Sequence, residues 1–84
     1  MADPAQEPGG VLHVRSTLAR RIRNGEYPAG AKLPTETELA EEFGCGTDIV
    51  AGALRLLQWD GLVKKVLRKG YFSSGPDYRP GQPG

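Results

Sequence analysis

The stretch Leu33 to Leu54, LPTETELAEEFGCGTDIVAGAL, decides the fold. Thr35 and Glu38 form a capping box. The Thr35 hydroxyl can accept from the backbone N–H of Glu38, whose carboxylate can reach back to the N–H of Thr35. Pro34 disfavours an earlier helical start. A helix therefore runs from this cap to about Phe43, with Leu39, Ala40 and Phe43 turned inward. Gly44-Cys45-Gly46 makes a tight turn. A further helix runs from Thr47 to about Asp60, with Val50, Ala53, Leu54 and Leu57 as its apolar stripe. Gly52 inside it costs roughly 1 kcal/mol against alanine. Two short helices joined in this way have the layout of a DNA-reading helix-turn-helix.

Working outward, Val11, Val14, Leu18 and Ile22 recur at helical spacing and define a first helix, about Val11 to Asn24. Gly25 ends it. Tyr27-Pro28-Ala29-Gly30 reads as a turn, and Ala31 to Leu33 as a short extended piece. Downstream, Gly61 closes the third helix. Leu62 to Leu67 reads as a strand, Arg68-Lys69-Gly70 as a hairpin tip, and Tyr71 to Ser74 as the return strand. Helix, short strand, helix, turn, helix, hairpin is the order of a winged helix. The expected fold class is mainly α (α+β), with three helices, a C-terminal hairpin wing and a short strand between helices one and two.

With 84 residues the chain fits one small domain with a thin core. Met1 to Gly10 and Gly75 to Gly84 are rich in Pro and Gly and poor in apolar residues. They are expected as mobile tails, the second suiting a linker, around a domain spanning 11–74. The net charge is only +1, but charge is segregated. Helix one carries Arg15, Arg20, Arg21 and Arg23. The middle carries Glu36, Glu38, Glu41, Glu42 and Asp48. The hairpin carries Lys64, Lys65, Arg68 and Lys69. A polyanion would be met by particular faces. Cys45 is the single cysteine, which excludes an internal disulfide and fits a reducing cytoplasm. No signal segment or membrane-length apolar run is present.

These positions resemble the N-terminal DNA-binding domain of GntR-family bacterial transcription regulators. The likeness covers about Val11 to Ser73. It is carried by Val14, Leu18, Ile22, Gly25, Tyr27, Gly30, Leu33-Pro34-Thr35-Glu36, Leu39-Ala40, Phe43-Gly44, Val50, Ala53-Leu54, Leu57, Gly61-Leu62-Val63, Gly70 and Phe72. It implies a winged helix that binds double-stranded DNA to regulate transcription. The chain departs from the family pattern on the surface. Gly46-Thr47 stands where the family usually has Ser-Arg, and Ala51 where an arginine follows one turn later. Thr37 replaces a frequent arginine, Ile49 a threonine, and Arg68 the first of two wing glycines.

The exposed face of helix three offers Thr47, Asp48, Ala51, Gly52, Arg55 and Gln58. Arg55 and Gln58 have the directed donors suited to base edges, but they lie toward the far end of a helix whose start faces the groove. Asp48 complements the helix dipole by about 0.3–1 kcal/mol. It can accept from cytosine N4, and it repels phosphate. The wing reads differently. Lys64, Lys65, Arg68 and Lys69, with Gly70, surround a tip able to enter a minor groove or to lie along phosphates, releasing counterions. Lysines on a hairpin also block edge-to-edge pairing. The wing and helix one are expected to hold phosphates with the start of helix three in the major groove, and the expected DNA-contacting set is Thr35, Thr37, Gly46, Thr47, Asp48, Ala51, Arg55, Lys64, Lys65, Arg68, Lys69 and Gly70.

The remaining residues read as structural. Cys45 suits a small buried hydrophobe, and Tyr27 suits the core. His13 lacks a second metal ligand. Trp59 is expected to cover the join between helix three and the wing. Without a phosphate-cradling loop, a metal-ligand cluster or a nucleophile–base pair, no enzymatic activity, cofactor or metal is expected. The expected partner is double-stranded DNA, with a homodimer formed on it. No membrane contact and no small-molecule effector domain in this chain are expected. The rival is a degenerate winged helix used for protein–protein interaction, motivated by the missing arginines, the acidic helix two and the smooth Ala51-Gly52 patch.

Overall fold

Helix α1 (Val11–Arg23) starts at Gly10, whose carbonyl accepts from the Val14 N–H at 3.0 Å. Its last turn carries Arg20, Arg21 and Arg23, cations that complement the negative end of the helix dipole. The computed structural model describes residues 10–76. The expected tails lie outside the described residues except for Gly10, Gly75 and Pro76. Of these, Gly75 is buried, and its N–H donates to the Ser73 Oγ at 3.0 Å.

Helix α2 (Glu36–Phe43) begins with the capping box in full. The Glu38 N–H donates to the Thr35 Oγ1 at 3.1 Å, and the Thr35 N–H donates to the Glu38 Oε1 at 2.9 Å. Gly44 ends it in the left-handed conformation (φ 66°, ψ 38°), which glycine adopts without a Cβ penalty. Helix α3 (Thr47–Trp59) is capped by Gly46, which supplies no side-chain acceptor.

Strands β1 (Val63–Val66) and β2 (Gly70–Ser73) pair antiparallel, with Val63 opposite Ser73 and Lys65 opposite Tyr71. The expected strand at Ala31 to Leu33 is reduced to a single bridge, Lys32 opposite Phe72, on the other edge of β2. It is well tied nonetheless. The Leu33 N–H donates to the Tyr71 carbonyl at 2.9 Å, and the Ser73 N–H donates to the Ala31 carbonyl at 2.8 Å.

Every apolar position read as the stripe of α1 or α3 packs inward. Val14, Leu18 and Ile22 meet Val50, Ala53, Leu54 and Leu57, with Leu39 and Ala40 of α2 closing the cluster. Leu33, Leu62 and Val63 seal it on the wing side. Tyr27, Phe43, Cys45 and Ile49 pack against it half-buried. The one buried polar side chain among the described residues, Ser73, donates to the Tyr27 carbonyl at 2.7 Å. Among the described residues no helix is long and apolar enough to cross a membrane.

Candidate nucleic-acid interface

The wing and the start of α2 enclose a cleft of about 250 Å³. Its walls bring together Thr35, Lys65, Arg68, Lys69 and Gly70 of the expected contact set. Lys32 completes them. Four cations and one carboxylate, Glu36, therefore border the cleft, beside the N-terminal N–H groups of a helix, a place that favours anions. Sequence reading missed Lys32. The sequence carries almost no sign of it, but in the structure Ala31 is half-buried and Leu33 buried, and Lys32 between them points outward. The stem of Lys32 lies across Gly70, with its Cε 3.3 Å from where a Cβ at 70 would stand. A side chain at position 70 would therefore push this cation aside.

The turn that closes the wing is made by the Lys69 N–H donating to the Val66 carbonyl at 2.9 Å. Arg68 sits inside it at φ 67° and is the single non-glycine residue with positive φ among those described. A left-handed conformation is unfavourable for a side-chain-bearing residue, and Arg68 stands where the family pattern has glycine. Lys65 Nζ lies 5.9 Å from the centroid of the Tyr71 ring, so its charge is held against the wing face. Lys64 is exposed and does not border the cleft.

The α3 residues form a second, separate cluster, for no residue of α3 borders the cleft. Thr47, Asp48 and Arg55 are exposed and Ala51 is half-buried. The Asp48 carboxylate folds back over Gly46, filling the space a Cβ there would need. Thr37 is exposed on α2. Thr35 is exposed, but its hydroxyl and N–H are both engaged by Glu38. That engagement, aided by Lys32, holds the Glu38 carboxyl below the usual range.

One expectation needs correction here. Trp59 does not cover the join between α3 and the wing; it is 89% exposed. It lies two residues beyond Leu57, roughly 200° around the helix from the buried stripe. Leu62 and Val63 seal the join instead. Of the four arginines of α1, two are engaged in ion pairs. Arg15 is paired with Asp60, its Nε 3.1 Å from Oδ2, which ties α1 to the end of α3. Arg21 is paired with Glu42 and stacks 5.6 Å from the Phe43 ring centroid, which ties α1 to α2. The bond from Arg21 keeps the Glu42 carboxyl ionised to lower pH and raises the guanidinium in turn. Arg20 and Arg23 remain without an ion pair among the described residues. His13 packs edge-on to Phe43 with centroids 5.9 Å apart.

The Ala51-Gly52 patch is also less open than its composition suggests. Val11 of α1 already lies over Gly52.

Comparison with known proteins places this arrangement in a family. The model of the bacterial regulatory proteins, gntR family, matches residues 11–72. The histidine utilization repressor of Pseudomonas putida is 33% identical over 66 residues, which is 79% of this chain and 27% of that protein. Among solved structures, the NTD of AraR in complex with mutant ORR3 superposes with a TM-score of 0.76 at 26% identity, over 87% of this chain and 97% of that one. Streptococcus agalactiae GntR gives 0.68 at 34% identity, over 76% of this chain and 31% of that one. The chain spans between 11% and 27% of the length of the curated relatives it matches.

Proposed function

The chain belongs to the GntR family of bacterial regulatory proteins, and on that premise we propose that it is the DNA-binding unit of a transcriptional regulator working in the cytoplasm. The observation that carries this reading is the wing cleft, where Lys32, Lys65, Arg68 and Lys69 face a single carboxylate beside the start of α2. Such a site suits phosphate oxygens, and phosphate contacts fix register without reading sequence. Arg20 and Arg23 add charge from α1. The start of α3 enters the major groove with Gly46, Thr47, Asp48 and Ala51, and Arg55 reaches the backbone from the next turn. That face lacks forked donors at its leading end, so base reading there is modest. Two copies pair on the duplex, as the symmetry of paired half-sites favours.

The test is titration of a mixed-sequence duplex followed by NMR at two salt concentrations. Log affinity should fall with log salt at a slope of about −0.9 per phosphate neutralised. The largest shifts should fall on Lys32, Lys65, Lys69 and the first turn of α3. Lys65→Glu with Lys69→Glu should abolish binding. Absence of binding at low salt by the unaltered chain would end this reading.

Trp59 supports a second reading, a protein-binding winged helix, because an 89% exposed tryptophan is an unusual surface residue for a lone domain. A partner using it would bind regardless of Lys65 and Lys69.

A further inference from the structure

Leu67 is 80% exposed at the outermost turn of the wing, and Val66 beside it is 40% exposed. Nothing in the fold requires an apolar side chain there. The hairpin is held by its ladder, by the bridge to Lys32 and by the turn bond from Lys69 to Val66. Leu67 and Arg68 are the two corner residues of that turn, so their side chains project from the wing. Arg68 holds its place at φ 67°, where glycine would be relaxed. Strain of that kind, kept at an exposed tip, points to use of the side chain. An apolar residue and a guanidinium therefore share one protruding corner, flanked by Lys65 and Lys69.

We propose that the Leu67–Arg68 corner is a minor-groove wedge, with Leu67 entering between base pairs at a flexible step and Arg68 lying in the groove beside it. The inference rests on the DNA-binding reading above and deepens it. Charge complementarity selects the occupant, because the cations around Leu67 favour a polyanion over an apolar protein groove. Minor-groove proteins unstack base steps with side chains such as leucine and bend the duplex away from the wedge. Pyrimidine–purine steps yield most easily, and narrow A·T grooves attract arginine. Sequence preference would then come from the wing, offsetting the weak base reading of α3.

The experiment uses a short duplex with a central TA step whose adenine is replaced by 8-vinyladenine, a base that brightens when unstacked and keeps the minor-groove edge of adenine. Matched duplexes carry A·T, G·C or inosine·C flanks. Inosine·C lacks the minor-groove amino group of G·C but differs little from it in the major groove. Binding should brighten the probe, and inosine·C flanks should bind like A·T and better than G·C. Leu67→Gln lies on exposed surface and should leave the fold intact by circular dichroism. It should abolish the brightening and weaken binding roughly tenfold, with the salt slope unchanged. Binding by the unaltered chain with no unstacking, or unstacking that survives Leu67→Gln, would overturn the wedge while leaving the DNA-binding reading intact. Inosine·C flanks behaving like G·C would overturn the groove assignment. Failure of the unaltered chain to bind any duplex at low salt would overturn both.

Discussion

The side chain of Val11 stands 3.6 Å from the point a Cβ on Gly52 would occupy. Helix α1 thus packs closely over the middle of α3 where that helix has no side chain. The gap is an ordinary van der Waals contact, so alanine fits. Gly52→Ala should raise stability by about 0.5–1 kcal/mol, by removing unfolded-state entropy and a weak helix residue. Urea unfolding followed by circular dichroism would measure it. Gly52→Arg should instead lever Val11 away and lower the midpoint.

Arg68 offers a case where stability and binding should move in opposite directions. Glycine at that position relieves the left-handed strain, and Arg68→Gly should stabilise the domain by about 0.5–1 kcal/mol. The same change removes a cation from the cleft. DNA affinity should fall, and the salt slope should shrink, because a cation lying in the groove also displaces counterions. A melting curve and a salt series on one variant would read both effects. A variant that gained stability and kept its affinity and salt slope would show that Arg68 takes no part in DNA binding.

The architecture was legible because the residues that decide it are local or periodic. Thr35 and Glu38 specify the start of α2 through three residues of chain, and both reciprocal bonds form. Val50, Ala53, Leu54 and Leu57 fall on one face by helical period alone, and all are buried. What could not be read depends on distant partners. The pairing of Arg15 with Asp60 spans 45 positions, and nothing local marks those two residues as neighbours. Trp59 was misplaced because size and apolarity suggested burial, while its angle around α3 forbade it. Lys32 was overlooked because a piece of chain with a single bridge gives almost no periodic signal. The wing cations and the start of α3 were named from the sequence, but their division into two separate surfaces depends on how the hairpin lies against α2.

The protein carries one tryptophan, and its position makes it a reporter. At 89% exposure, Trp59 should emit as a fully hydrated indole and be quenched readily by acrylamide. Its emission should change little on unfolding, so fluorescence should underreport the transition seen by circular dichroism. Duplex DNA held by the wing should leave it nearly unmoved. A blue shift on adding a candidate protein partner would mark α3's last turn as a docking point.

Acid should weaken the fold through two carboxylates on α2. Glu38 is held below its ordinary value of 4.5 chiefly by the Thr35 backbone N–H, and Glu42 chiefly by its bond from Arg21. A group whose folded pKa is depressed binds fewer protons in the folded state. Its contribution is therefore complete above the unfolded pKa and is lost as pH falls through the folded one. Melting temperature should be flat from neutral pH to about 5, then fall as pH drops below about 4.5. Both carboxylates are largely exposed, so each contributes little and salt should blunt the effect. Glu42→Gln should flatten part of the slope. Thr35→Ala should lower stability by about 1 kcal/mol at neutral pH, through loss of the cap, and should also reduce the acid dependence assigned to Glu38. Thermal melts of the three proteins across this pH range would check the sign. A melting temperature that rose on acidification would show that neither carboxylate is held as described.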